Sequence, residues 1–408
     1  MTTTMTKATL DQSGLDLLSN LGPEWLKTAR REGFASYQSL AFPTGKDEAW
    51  RRTDPERVRP ESHQVAPPVS TFGQLGEATR EGVTFCSLEE AVKTQSGLVE
   101  KHLHHVGRLD EHSFSALNRA FWSGGSFFHI AKEKSTGEGA VTAHHHFSAG
   151  DTAAAIPHSL VLAERHSKAS VIETFEADDE ALLAAPMVEI HLEEGANLRY
   201  VFVHKWGDRA SVVPTIHATL AKDATLQLLF VGLGGRLAKV FIESDLCGQG
   251  SKSEVLGLVL AEGRQHYDLD IVQNHRVGDT VSDVLCHIAL TGKARSVFSG
   301  NVLCEPGAQK IDGYQQNRNL ILSDKARADS MPKLEIEAND VRCTHGATFT
   351  TYDRDQKFYL QSRGMTSFEA ERLLVTGFFQ EVIERTGQEC VVEHLAELLA
   401  RRMEKVLG

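Results

Sequence analysis

The sequence predicts a mainly β protein, a β-solenoid core set between two helical regions. Three observations carry that prediction. From about residue 125 to 360, short runs of β-branched and aromatic residues follow one another, separated by Gly, Asp, Lys and Ala turns. No helical pattern of roughly 12 or more residues interrupts them, which argues against a doubly wound α/β fold. A turn, a small residue and a strand recur in SKASVI, EGANLRY, KDATLQL and GSKSEVL, with markers at Ala169, Ala196, Ala224 and Lys252, steps of 27, 28 and 28 residues. A solenoid repeats its turns because each coil stacks on the last. A β-sandwich, whose turns fall at irregular intervals, is the competing reading.

Taken in order, residues 1–122 read as mainly helical. Pro23 opens PEWLKTARREGF, where a missing N–H costs nothing. Ser87 and Glu90 form a capping-box pattern. HSFSALNRAFW places Phe114, Leu117 and Phe121 on one helical face. The polar stretch FPTGKDEAWRRTDPERVRPES carries Trp50 and several arginines, too much for a simple linker. Residues 123–362 form the expected core, with runs such as SLVLAE, SVIETF, VEIHLEE, TLQLLFVG, EVLGLVL and KLEIEA. Residues 363–408 return to helix. Thr366 and Glu369 form a second capping box, and Val375, Phe378, Phe379 and Val382 line one face. Val392, Leu395, Leu399, Met403 and Val406 line another. Such an end either caps the exposed edge of the last coil or docks a partner.

Composition bounds the function. Of 408 residues, 41% are apolar and 24% charged, ordinary globular usage. The 43 basic and 55 acidic residues give a net charge of −12, which disfavours nucleic acid and anionic membrane as partners. The N-terminus MTTTMTKATLDQSGLDLLSN has neither a signal-peptide core nor an Arg-rich transit pattern, and no run reaches the ~18 apolar residues of a membrane span. Cys86, Cys247, Cys286, Cys304, Cys343 and Cys390 are scattered, with no C-x-x-C pair, so neither a disulfide framework nor a zinc knuckle is expected. A cytoplasmic, reducing location follows as the expectation.

The common catalytic motifs do not occur. TGKDEA is not a P-loop, VGLGGR lacks the third glycine of a dinucleotide fingerprint, and G-x-S-x-G and H-E-x-x-H are missing. Histidine is abundant at 19. His102, His104 and His105 fall in a stretch of helical pattern; His144, His145 and His146 form a run in which only His144 and His146 could share a strand face. For both groups the expectation is solvated or stacked imidazoles. The best chemical pattern is DVRCTHGATF, residues 340–349, which as a strand puts Cys343 and His345 on one face. Thiolate beside imidazole suits iron–sulfur species or other soft metals. Two ligands are too few, so another chain or a distant residue would complete the site; the alternative is a buried Cys near a hydrogen-bonded His.

Longer segments extend this pattern: PTGKDEAWRRTDP, LNRAFWSGGSFFHIAK, the block GAQKIDGYQQNRNLILSDKARADSMPKLEIEANDVRCTHGATFTTYDRDQKFYLQSRGM, and EAERLLVTGFFQEVIERTG. On these the chain resembles the SufB/SufD family of iron–sulfur cluster assembly proteins, the SufD branch more closely. The resemblance implies a right-handed parallel β-helix between helical ends. It implies a non-enzymatic scaffold that pairs with SufB through the last strands, as a heterodimer, and anchors the SufC ATPase on its C-terminal helices, here with Val375, Phe378, Phe379 and Val382. It also implies a transient cluster shared with SufB at their interface, with His345 as a ligand and Cys343 beside it, and no tightly bound cofactor. The SufD side rests on Ala326 and Leu360, which stand where SufB carries cysteines, and on the retained Cys343, His345, Gly346, Ala347 and Thr348. Without SufB the same edge would support a homodimer. Cluster type and the binding of reduced flavin to the complex stay open. The rivals are a SufB-like scaffold carrying sulfur itself, and a β-helix enzyme acting on polysaccharide, which needs grouped carboxylates and usually a secretion signal.

Overall fold

The computed structural model describes residues 8–407, apart from 21, 105–111, 149, 151 and 352. Its centre is a β-solenoid of about eight turns. One wall stacks Ser126–Ile130, His158–Ala163, Met187–Leu192, Thr215–Leu220, Leu237–Leu246, His266–His275, Arg295–Cys304 and Arg327–Ile336, all parallel. The opposite wall stacks Ala140–Phe147, Lys168–Ala177, Asn197–Lys205, Thr225–Gly232, Lys252–Ala261, Val281–Leu290, Ile311–Ile321 and Val341–Thr351, again parallel. The expected solenoid is therefore observed and the sandwich is excluded. Register places residues 168, 197, 225, 252, 281, 312 and 342 above one another, so the coil length runs from 27 to 31 residues. The sequence markers lie within one residue of this ladder. At its turns the chain needs left-handed residues: Gly195 has φ +68°, and a Cβ there would come within 2.3 Å of His166 Nδ1.

Alternation along each strand makes three apolar layers. Inward residues such as Val171, Tyr200, Leu228, Val240, Val284 and Phe298 fill the lumen. Phe175, Phe202 and Phe230 stack inside it, at 4.8 and 5.8 Å between successive rings. Outward residues of the first wall, including Leu160, Met187 and Phe241, pack under the N-terminal region. Outward residues of the second wall, including Val201, Leu229, Leu256 and Leu285, pack under the two long C-terminal helices, Ser367–Arg385 and Glu389–Leu407.

The N-terminal region is less helical than its sequence suggests. It contains Gln12–Ser19, Glu24–Ser39, Leu88–Thr94, Ser96–His102 and Ser113–Phe121 as helices, but also the strands Val69–Leu75 and Val83–Ser87. Those strands add antiparallel to Ala140–Phe147 and Ser126–Ile130, closing both edges of the first coil. The pairing is tertiary, which is why local periodicity missed it. Buried Arg30 donates to the carbonyls of Ala120 and Trp122, both at 2.9 Å, and so satisfies the end of Ser113–Phe121. Trp50 is buried against Phe114, so its loop is indeed no linker. At the other end, helix begins at Arg354, inside the segment expected as core. Asp353 starts it by accepting from the N–H groups of Asp355 and Gln356, a cap the sequence reading overlooked. The capping boxes fare differently. Thr366 and Glu369 make both halves, while Ser87 caps Glu90 N–H at 3.2 Å.

Candidate functional site at the last coil

The first coil is closed by antiparallel strands, but the last is not. Arg327–Ile336 pairs on one side with Arg295–Cys304, and Val341–Thr351 pairs on one side with Ile311–Ile321. Among the described residues neither has a strand on its other edge. Two adjacent rows of backbone N–H and C=O groups therefore face outward at one end, together with Ile336 and Phe349, which are 40% and 52% exposed.

Cys343 and His345 both lie in Val341–Thr351, in register with Gly313 and Gln315 of the strand below. They share a face, as expected. Cys343 points into the lumen, where it packs with Val302, Cys304, Ala308 and Ile311. Its Sγ lies 3.9 Å from the Sγ of Cys304, which reaches across from the opposite wall. Gly313 makes room for this: a Cβ there would sit 3.2 Å from both Cys343 Sγ and Val302 Cγ1. His345 is exposed, since no further coil covers it. Burial pushes the Cys304 thiol up to about 12, with Cys343 adding to the rise, and burial raises Cys343 as well. Both sulfurs are therefore held as thiols at neutral pH, and relief of that burial would favour the thiolate that binds soft metals.

Sequence reasoning found Cys343 and His345 but missed Cys304, 39 residues upstream and on the other wall. Only the coil register brings the two together. Also missed was the polar lumen beneath: buried Gln315, Asn317 and Asn319 follow Ile311 and Gly313 on the inward face, and Asn319 Nδ2 donates to Asn317 Oδ1 at 2.6 Å. The histidine run behaves as alternation demands. His145 turns inward and its Nε2 lies 2.8 Å from Glu173 Oε1, while His144 faces Glu176 on the outside. His105 lies outside the described residues.

The apolar stripe expected to bind a partner is placed differently. Val375, Phe379 and Val382 are fully buried against the outer face of the second wall. Phe378 is half-buried, stacked on His287 at 4.7 Å, and its carbonyl accepts from His287 Nδ1 at 2.6 Å. The stripe is thus the inner face of the helical cover. Helical periodicity identifies an apolar face but not what it meets. The turn between the helices is pinned too: Arg385 Nη1 lies 2.7 Å from Asp283 Oδ2, and Gln388 Oε1 accepts from Ser170 and Arg199 at 2.5 Å each. What the C-terminal helices leave exposed is Phe358, Tyr359 and Leu373.

The described residues thus form a parallel solenoid with one uncovered end and a thiol and an imidazole on its final strand. Residues 145–378 match the family model described as SUF system FeS cluster assembly, SufBD core domain, and residues 70–139 match the SufBD protein N-terminal region. The chain belongs to the SufBD family of iron–sulfur cluster assembly proteins. It is 31% identical over 383 residues to a SufBD family protein of Mycobacterium tuberculosis, covering 91% of this chain and 93% of that one. It is 28% identical to the SufD of Bacillus subtilis and 24% identical to the SufB of the same organism, each over 333 residues and 80% of this chain, covering 75% of that SufD and 70% of that SufB. No helix among the described residues is long and apolar enough to cross a membrane.

Proposed function

We propose that the chain is a SufD-type, non-enzymatic scaffold subunit of a cytoplasmic iron–sulfur assembly complex. Its open last coil pairs with the corresponding coil of SufB, continuing both walls through main-chain hydrogen bonds. The observation that carries this reading is the asymmetry of the solenoid, whose first coil is closed by antiparallel strands while the last exposes two strand edges. His345 and Cys343 then lie at the joint, where a transient cluster shared with SufB would form. Ala326 and Leu360, where SufB has cysteines, favour the SufD branch, as does the slightly higher identity to SufD.

SufC would dock on the exposed side of the C-terminal helices, through Phe358, Tyr359 and Leu373 rather than the buried stripe. Nucleotide-driven approach of two such ATPases would strain the joint and open it, uncovering the Cys304–Cys343 pair to iron and sulfide. Without SufB, two copies of this chain would pair through the same edge.

The test is co-expression with SufB and SufC. A stable three-protein complex is expected, and His345→Ala should leave it intact while lowering the iron and sulfide recovered with it. A chain that purifies alone and monomeric at micromolar concentration overturns the scaffold reading. Normal iron and sulfide in the His345→Ala complex would return that histidine to a purely structural role.

A further inference from the structure

A second group of potential ligands lies under the N-terminal region, on the outer face of the first wall. His158 and Glu189 sit on adjacent parallel strands, and both are fully buried. His104 enters from the chain just beyond the helix Ser96–His102, held at φ 70°, a left-handed conformation uncommon for a residue with a side chain. Its backbone N–H donates to Glu189 Oε1 at 2.8 Å. One donor atom from each of His104, His158 and Glu189 falls within 4.8 Å of the others. His191, two residues along from Glu189, brings its Nε2 to 3.8 Å from Glu189 Oε2.

The hydrogen bonds around His158 decide which nitrogen is free. Asn118 Nδ2 donates to the carbonyls of Pro157 and Ala185, at 3.0 and 2.8 Å. That fixes the amide, so Asn118 Oδ1 is the atom 2.8 Å from His158 Nδ1 and must accept from it. In the neutral imidazole Nε2 then carries a lone pair, and it lies 2.7 Å from Glu189 Oε1 without a hydrogen bond of acceptable direction. The Nε2 atoms of His104 and His191 are likewise buried without a hydrogen-bond partner. A lone pair pressed on a carboxylate oxygen is repulsive unless a proton or a metal ion stands between them, and the unpartnered Nε2 of His104 beside the same carboxylate favours the metal. An imidazole whose other nitrogen is fixed by an amide oxygen is the usual outer support of a metal ligand.

We propose that His104, His158 and Glu189 form a binding site for one divalent first-row transition ion, with Asn118 as the positioning residue for His158. Two imidazoles and a carboxylate suit Zn²⁺ or Fe²⁺, with further positions open to water or to a passing ligand. The proposal is independent of the scaffold reading and of the last coil, which lies at the other end of the solenoid.

The experiment uses the full chain, freed of metal by chelation, and titrates it with Co²⁺ as a spectroscopic probe and with Zn²⁺ and anaerobic Fe²⁺ by calorimetry. A variant combining Cys304→Ser, Cys343→Ser and His345→Ala removes the donors of the last coil. One equivalent of Co²⁺ should bind to both proteins, with ligand-field bands and no thiolate charge-transfer absorption. His104→Gln and Glu189→Gln should weaken binding by at least the 10- to 100-fold that loss of an outer partner alone costs. Asn118→Leu should weaken it less and alter the Co²⁺ spectrum. His104 lies at the edge of the group, so its variant tests the site even if Glu189→Gln fails to fold. Failure of the unsubstituted chain to bind any of the three ions would overturn the proposal, leaving His158 and Glu189 as an imidazolium–carboxylate pair. Unchanged binding by His104→Gln would overturn it as well.

Discussion

Phe379→Ala separates two roles for the C-terminal helices. The ring is fully buried, 5.3 Å from that of Phe378, and lies in the layer formed with Val201, Leu229, Leu256 and Leu285. Truncating a buried Phe costs about 3–5 kcal/mol through lost transfer energy and the cavity left behind. At one decade per ~1.4 kcal/mol, the population with the two helices lifted off should rise roughly 10²- to 4 × 10³-fold. A solenoid loses stability locally rather than as a whole, so the effect should be concentrated at this cover. Hydrogen exchange and limited proteolysis across residues 363–408 are the assay: faster cleavage there, with the walls 168–304 still protected, is expected. Leu373→Asp, at a side chain 50% exposed, should leave exchange unchanged and weaken SufC binding instead. The reasoning fails if Phe379→Ala leaves exchange untouched yet abolishes SufC binding, because the stripe would then face the partner.

Three further outcomes can be checked. Diamide should join Cys304 to Cys343 slowly at neutral pH, because burial holds both as thiols, and faster as pH is raised, since closure from 3.9 Å to the ~2.05 Å of a disulfide needs only a small shift of the last coil; peptide mapping that never finds this bond in the folded chain would contradict the packing. Burial lowers His204 to about 3 and His266 and His275 to about 4, so the unfolded chain binds the extra protons first as pH falls below ~6.5. Stability should therefore drop between pH ~6.5 and ~4, by up to about 4 kcal/mol per pH unit for the three together, and His204→Gln should make the slope shallower. A flat profile in denaturant titrations across that window would refute it. Lys239→Ala should cost about 3–5 kcal/mol by stranding Asp268, whose Oδ1 lies 2.9 Å from the buried Nζ, and restoration of stability by adding Asp268→Leu would identify the stranded charge as the cause.

The solenoid was legible because its repeat is written in turns, and turns are local. The marker steps of 27 and 28 residues fall within the observed range because each coil must return the chain to the same height. The face shared by Cys343 and His345 was legible for the same reason, strand alternation being a two-residue rule. Cys304 was not, because its nearness to Cys343 depends on which residues cross the lumen at one level. The strands Val69–Leu75 and Val83–Ser87 were hidden because their stabilising partners are the edges of the first coil. The stripe on Ser367–Arg385 was read correctly as one face and wrongly as a free one. His104 and His158 are 54 positions apart in sequence, and the clue connecting them, Asn118, lies on a third element.

The coverage of the apolar faces gives the last coil its meaning. The outer face of the first wall is covered by the N-terminal region and that of the second by the C-terminal helices. The first coil is closed by two antiparallel strands. Solenoids require such ends, because an uncovered coil exposes both its lumen and its hydrogen-bonding edges. Among the described residues no strand or helix closes the last coil in this way. The helix Arg354–Ser362 follows the final strand directly, yet the long helices after it pack on the wall, and Ile336, Phe349 and both edges are left exposed. The same coil places two thiols 3.9 Å apart beneath an exposed imidazole. Burial holds those sulfurs as thiols while the coil is intact, so any soft-metal binding proposed there would be favoured by movement of the last strand. A second chain pairing on that edge would both satisfy the backbone and control access to the sulfurs, which joins the structural and chemical roles of Val341–Thr351 in one element.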